Sequence, residues 1–272
     1  MTGASFASRK IPEYMSYSMG RCSVCTTVYS VEGPRPDVLA KVYRDASYDT
    51  SVEADMAATT YARALAPHLA VLPHRGTLLE VGTGTGVFLS RMGGAGFRER
   101  IGIEPSRAAI DAAGPEVKPL IREGIFDADS FAPGSVSMIC CFQTLEHVPN
   151  PREFVENAVR LLEPYGLLSL VTHNADAMLN RLLGRRSPII DIEHLQLFSP
   201  RNLRFMLEWA GFATIAIEPF KNTYPLRYWL RLAPLPMKRK LLAAVDAAGM
   251  GGLSVSASVG NILTTAWKPG PR

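Results

Sequence analysis

Three glycines, Gly82, Gly84 and Gly86, alternate with Thr83 and Thr85 directly after an apolar run that contains Glu80. Glycine adopts positive φ and lets a backbone approach another group without a Cβ in the way. Two readings fit the glycines alone: a tight strand-to-helix turn, or a loop that cradles a nucleotide. Glu104 favours the second. It ends the next apolar run, RIGIEP (100–105), about 20 residues further on, where a carboxylate can accept hydrogen bonds from both hydroxyls of a ribose. The loop is G-x-G-x-G, with Val87 where the dinucleotide fingerprint G-x-G-x-x-G has its last glycine. The Gly-Lys-Ser/Thr of a P-loop is also missing. A site without phosphate-binding residues points to a nucleoside without phosphates, and S-adenosylmethionine is the common one.

The elements that must position these residues follow from the apolar pattern. A helix is predicted from about residue 52 to 72, with Pro67 as a candidate kink. TLLEV (77–81) reads as a buried strand, residues 87–94 as a helix, RIGIEP as a second strand, and Ser106 as the N-cap of the next helix. VKPLI (117–121) is a weak third strand. SVSMICCF (135–142) is a near-continuous apolar run, as a parallel strand buried on both faces should be. An amphipathic helix opened by Pro151 covers 151–163, and GLLSLVT (166–172) is the fifth strand. Ser199 caps a helix ended by Gly211. FATIAIE (212–218) and VGNILTTAW (259–267) supply the last two strands. This rhythm predicts a doubly wound, Rossmann-like α/β sheet, mostly parallel with an antiparallel last strand. Residues 1–50 read as an irregular, tyrosine-rich N-terminal cap (Tyr14, Tyr17, Tyr29, Tyr43, Tyr48), 51–272 as the nucleoside-binding domain, and 219–257 as a C-terminal insertion.

The order of the blocks resembles the class I S-adenosylmethionine-dependent methyltransferases. LLEVGTGTG (78–86), IGIEPS (101–106), GSVSMICCFQTLEHVPNP (134–151), LLEPYGLLSLVT (161–172) and HLQLFSPRNLRFMLEWAGF (194–212) carry the likeness, over about residues 50–218 and the terminal strand. LEHVPNP and HLQLFSP are more specific than the glycine loop. They are similar to the bacterial branch acting on small molecules, quinone-like lipids and sugars. The resemblance implies that Gly82, Thr83, Gly84 and Gly86 pass under the methionine part of the cofactor and that Glu80 helps order its ammonium group. Glu104 then binds the ribose, and Gln143 completes the cofactor set. The family often places an acid after the glycine beyond strand three; here Ile125 stands there. Adenine recognition then falls to Phe126, with Asp127 as a displaced acceptor.

Methyl transfer from a sulfonium is an in-line displacement that depends on holding donor and acceptor aligned. An alcohol acceptor also needs a general base. His194 (in DIEHLQLF) and His147 (in LEHV) are the first candidates, followed by His173 at the end of strand five; for His147, shaping the pocket is the competing reading. His68 and His74 read as surface residues. Cys22 and Cys25 have the spacing of half a zinc knuckle. The stretch at 28–48 resembles a segment that follows a zinc module in some of these enzymes. With no other nearby cysteine, two thiolates cannot close a tetrahedral site, so a degenerate module without metal is expected, with a zinc shared between subunits as the alternative.

In the insertion, Leu226, Trp229, Leu230 and Ala233 recur at helical spacing, with Arg227 and Arg231 opposite. A lid helix is one reading. An interfacial helix at an anionic membrane, suited to a lipid-linked glycan acceptor, is the other.

The net charge is +4, and no basic run is interleaved with aromatics, which argues against a dedicated nucleic-acid binder. The N-terminus lacks the apolar core of a signal peptide, and no run reaches about 18 apolar residues. A cytoplasmic protein, with a peripheral membrane contact as an option, is expected. The functional expectation is O-methylation of a sugar or glycan precursor. The alternatives are a quinone-like or polyketide hydroxyl, a nicotinamide-dependent oxidoreductase, or a non-catalytic nucleoside-binding protein. These residues fix neither the acceptor nor the oligomeric state.

Overall fold

The computed structural model describes residues 15–46, 51–233 and 237–271. In chain order the elements begin with β1 (Met19–Arg21), β2 (Val28–Ser30), α1 (Pro36–Arg44) and α2 (Ser51–Val71). The central units are β3 (Thr77–Val81), α3 (Val87–Arg91), β4 (Glu99–Glu104), α4 (Arg107–Asp111), β5 (Ile121–Glu123) and β6 (Val136–Phe142). Then come α5 (Pro151–Leu161), β7 (Leu162–His173), α6 (Met178–Leu183), β8 (Gln196–Leu197) and α7 (Pro200–Ala210). The chain closes with β9 (Thr214–Pro225), α8 (Leu226–Leu232), α9 (Lys238–Ala247) and β10 (Ser254–Trp267).

Seven strands form one sheet in the order β5-β4-β3-β6-β7-β10-β9, parallel except that β10 runs antiparallel to both neighbours. Every residue of β3 and β6 is buried, because helices cover both faces. The period-two alternation of a strand sorts their side chains. Leu79, Val81, Ile139 and Cys141 pack under α5 and α7, while Leu78, Met138, Cys140 and Phe142 pack under α2 and α3. The chain leaves β3 for β4 and β5 on one side, then returns to β6 on the other. The carboxyl ends of β3 and β6 therefore flank the crevice where ligands bind in such sheets.

The caps follow the expected chemistry. Ser106 Oγ accepts the Ala109 N–H, and Ser199 forms a reciprocal capping box with Asn202 before Gly211 ends α7 at φ 101°.

Three expectations need correction. The third strand is not at 117–121. Residues 118–120 form a 3₁₀ turn around Pro119, which lacks an N–H for a ladder, and pairing starts at Ile121. The N-terminal segment is not irregular where described: β1 and β2 form a hairpin, and β2 pairs with β8 in a second, three-stranded sheet. Tyr14 and Tyr48 lie outside the described residues. Lastly, β9 and β10 stay paired to Pro225 and Ser254, so the segment inserted between them is 226–253 rather than 219–257. Among the described residues, no helix is long and apolar enough to cross a membrane.

Candidate active site

A cavity of about 1080 Å³ opens over the carboxyl ends of the parallel strands. Gly82, Thr83, Gly84, Glu104, Phe126 and Gln143 line one end; His147, His173 and His194 line the other. Gly86 does not line it: it is the N-cap of α3, with its α-carbon turned toward Val117 and Ile121.

At the first end, backbone geometry does most of the positioning. Gly82, Gly84 and Gly86 have φ of 75°, 57° and 71°, which L side chains adopt only with strain. A Cβ on Gly82 would also overlap the Thr144 side chain, just beyond β6. The N–H groups of Gly82 and Thr83 both donate to the Ile103 carbonyl, tying the loop to β4. Glu104 Oε2 accepts the Gly84 N–H at 2.7 Å and Oε1 accepts the Ser106 N–H at 2.8 Å. Each oxygen keeps a further lone pair for a ribose hydroxyl. Burial raises the Glu104 carboxyl above its ordinary value, and the two N–H donors oppose that.

Glu80 is fully enclosed and accepts the Thr83 hydroxyl. Burial, and to a lesser degree the Glu104 charge, push its carboxyl from 4.5 up to about 8, against the lowering effect of Thr83. In the fold the Thr83 hydroxyl holds Glu80 and its amide holds Ile103, so neither is aimed at a ligand.

Gln143 has φ 51° and donates its N–H to the Val171 carbonyl at 2.7 Å, while its side-chain Nε2 is buried without a partner. An unpaired buried amide donor beside the cavity is a position where a polar partner is called for. Phe126 lines the cavity with its ring against Phe154, centroids 5.5 Å apart. Asp127 is exposed and does not line the cavity, so it is not placed as the displaced acceptor; its Oδ1 accepts the Asp129 N–H and its Oδ2 the Ser130 hydroxyl, capping its own turn.

The other end is assembled from distant segments. The loop after β6 and the segment before β8 are tied together: Leu195 N–H donates to Glu146 O at 2.9 Å, and Gln196 Nε2 donates to Val148 O. The Ser30 N–H, on β2, donates to Leu195 O at 2.7 Å. Glu146 is buried, and its Oε1 accepts the His173 N–H at 2.6 Å, so LEHV also anchors the end of β7.

These ties bring all three histidines together. Ring centroids of His147 and His194 lie 5.0 Å apart, and those of His173 and His194 5.1 Å apart, both edge-on. The tautomers of two follow from their partners. His194 Nδ1 donates to the Ile189 carbonyl at 2.9 Å, and His173 Nδ1 donates to Asn261 Oδ1 at 2.7 Å, so in each ring Nε2 carries the lone pair. Burial, reinforced by the charges of His147 and His173, pushes the His194 imidazole well below its ordinary value and keeps it neutral. Tyr43, on α1, hydrogen-bonds His147 Nδ1 at 2.8 Å, and Glu193 Oε2 lies 4.0 Å from the same nitrogen.

His68 is half-buried beside Trp267, and exposed His74 pairs with Glu163; neither lines the cavity. Tyr43, Glu193 and Asn261 were missed from the sequence. Glu193 adjoins His194, and Asn261 is a polar residue within an apolar strand, which are the signals available for them. Tyr43 is one tyrosine among many and had none.

A family model described as a methyltransferase domain matches residues 52–217. The chain belongs to that family. As a methyltransferase it uses S-adenosylmethionine, and the residues present suit that group: a positive-φ loop, a buried carboxylate with spare lone pairs, and the open Gln143 amide.

An uncharacterized methyltransferase of Mycobacterium leprae is 26% identical over 189 residues, covering 61% of this chain and 69% of that relative. A ubiquinone biosynthesis O-methyltransferase of Thiobacillus denitrificans is 28% identical, covering 55% of this chain and 72% of that relative. A solved S-adenosylmethionine-dependent methyltransferase of Archaeoglobus fulgidus shares the fold, with TM-score 0.53 at 18% identity, covering 78% of this methyltransferase and 94% of that chain.

The remaining features of the methyltransferase stand apart. Cys22 and Cys25 are free thiols on the β1–β2 turn, and N–H groups of that turn, Cys25 first, lower the Cys22 thiol. Helix α8 turns Tyr228, Trp229 and Leu232 toward the cavity, with Trp229 Nε1 donating to Val255 O at 2.8 Å. The buried face of α8 thus centres on Tyr228, a residue outside the stripe expected from sequence.

Proposed function

We propose that this methyltransferase transfers the methyl of S-adenosylmethionine to a hydroxyl oxygen of a small molecule, with a sugar or glycan precursor as the leading acceptor. One observation carries the reading: Nε2 of His173 and of His194, whose Nδ1 atoms are both engaged elsewhere, share one cavity with Gly82, Gly84 and Glu104. When bound, the cofactor supplies a methyl group on a positively charged sulfur. The chain's own residues do the rest. The glycine loop, Glu104 and Gln143 hold the donor. The histidine cluster receives the hydroxyl proton as the oxygen becomes a nucleophile. The roof formed by α8 keeps water from the reacting atoms.

A lipid-linked or quinone-like acceptor is the second reading. Met178 and Leu182, 77% and 76% exposed on α6, sit beside Arg181, Arg185 and Arg186 next to the cavity-lining Leu179 and Leu183. An apolar, basic rim of this kind suits an anionic lipid surface.

Transfer from labelled donor into sugar nucleotides, glycans, and phenolic lipids with and without anionic vesicles tests both readings. Incorporation into a sugar hydroxyl supports the first. Incorporation confined to vesicle-borne phenols replaces it with the second. His194→Ala is expected to lower kcat by roughly 100- to 1000-fold, the scale of a lost general base, with donor affinity unchanged. A wild-type rate in His194→Ala, His147→Ala and His173→Ala alike would remove acid–base catalysis by histidine.

A further inference from the structure

We infer that His147, Glu193 and His194 form a binding site for a divalent transition-metal ion of the zinc class at the acceptor end of the cavity. Donor atoms of the three residues all lie within 4.8 Å of one another. His147 Nδ1 bonds the Tyr43 hydroxyl, so an ion taking this nitrogen displaces that hydrogen bond; the nitrogen lies 4.0 Å from Glu193 Oε2. Ligands at about 2.0–2.2 Å from a tetrahedral ion lie nearer than this to one another, so closing the set needs small side-chain adjustments.

Two imidazoles and one carboxylate suit zinc, iron or cobalt better than magnesium or calcium, which take oxygen ligands. They also match the three-ligand pattern of catalytic zinc sites, where a fourth position stays open. Here the open side faces the cavity, which all three residues line.

The supporting shell has the form that metal-binding histidines need. A ligating imidazole is oriented by donating its other N–H to a carbonyl or carboxylate. His194 gives Nδ1–H to the Ile189 carbonyl, so its Nε2 lone pair is the ligand. Glu193 supplies the negative charge that a divalent ion needs to be held in so enclosed a place. The site lies apart from Cys22 and Cys25, which belong to the β1–β2 turn.

The inference deepens the O-methylation reading and rests on it for its catalytic meaning, though not for binding. An ion here lowers the pKa of a coordinated hydroxyl. With His194 engaged as a ligand, the proton of the acceptor O–H passes to Nε2 of His173. The freed oxygen pair forms the new O–CH₃ bond, and the S–CH₃ bond breaks with its pair left on sulfur as a neutral thioether.

The test uses the full chain carrying Cys22→Ser and Cys25→Ser, which removes thiolate binding. Equilibrium dialysis against Zn²⁺, and the visible spectrum after Co²⁺ loading, report the site directly. We expect one ion per chain, with affinity weakened by more than about 100-fold in His194→Ala and in Glu193→Gln, beyond the loss typical of outer-shell partners. His147→Gln, a milder change, should weaken it as well and guards against misfolding of the buried His194 variant. Absence of stoichiometric metal in the Cys-free chain overturns the proposal, as does unchanged affinity in Glu193→Gln and His147→Gln. Calorimetry of S-adenosylmethionine in the same variants separates the two readings, because failure to bind donor leaves the metal result standing on its own.

Discussion

The two ends of the cavity are built on different principles. At the donor end, consecutive residues of one strand–loop–helix unit do the work, and backbone N–H groups and φ angles set the geometry. At the acceptor end, side chains converge from α1, the loop after β6, the end of β7, the segment before β8 and β10. Local geometry is written into a short stretch of sequence; convergence depends on the tertiary ties between the loop at 146–148 and the segment at 195–196. The donor end should therefore fail at single glycines, while the acceptor end should weaken by degrees.

The largest expected effect follows from Gly82. Gly82→Val places a β-branched side chain at φ 75° and into Thr144. Donor affinity should fall by more than about 100-fold, since strain of about 1–3 kcal/mol adds to a direct overlap. Calorimetry with S-adenosylmethionine measures it. Gly82→Ala paired with Thr144→Ala removes the overlap and keeps the strain, so a partial recovery would divide the two causes. Wild-type affinity in Gly82→Val would end the claim that this backbone forms the donor site.

The same contrast explains what could be read before the fold was known. Gly82, Gly84, Gly86 and Glu104 lie in one β-α-β unit, so their proximity follows from spacing; Gly82, Gly84 and Glu104 line one wall, while Gly86 starts α3 behind it. Ser106, Ser199 and Gly211 act as caps for local reasons and were found where local chemistry put them. Asp127 stands outside the cavity because its turn directs the carboxylate to the Asp129 N–H at the surface, an orientation that spacing alone does not reveal. The three histidines were each visible, but their mutual contact was not. It arises from β2 pairing with β8 and from Glu146 reaching the His173 N–H, both long-range. The hairpin at the N-terminus was hidden for a related reason: its strands are three residues each, too short for a periodic signal.

A second, smaller effect concerns stability at the donor end. Glu80 is protonated in both folded and unfolded states below about 4.5. As pH rises from there to about 8, the unfolded chain releases a proton that the folded chain keeps. Stability attributable to this group therefore falls with rising pH, by about 1.4 kcal/mol per unit, and levels off above the folded value. Thermal unfolding of the ligand-free protein between about pH 6.5 and 8, above the range in which His194 acts in the opposite sense, should show this slope. Glu80→Gln, which can still accept the Thr83 hydroxyl, should flatten it. An equal slope in wild type and variant would show that the buried carboxyl is not the source. Buried His194 contributes the opposite slope: below about 6.5 the unfolded chain binds a proton that the folded ring refuses, so stability from this group rises with pH and levels off above that value.

The smallest effect sharpens the comparison most, because one short segment touches both ends. The Ala46 carbonyl accepts the Ser106 hydroxyl beside Glu104, while Tyr43, three residues earlier, hydrogen-bonds His147. Tyr43→Phe removes one hydroxyl from a partly buried pair and leaves the ring edge-on to His147, 6.0 Å between centroids. A single hydrogen bond of this kind contributes about 0.5–1.5 kcal/mol, so kcat should fall roughly two- to tenfold, with donor affinity unchanged. If donor affinity moved instead, the segment would be coupling the two ends as one rigid body. If neither changed, His147 would be held by its packing against His194 and by Glu193, and the hydroxyl would be a bystander. Only the expected split, rate without affinity, fits an acceptor end whose members are supported side chain by side chain while the donor end stands on its backbone.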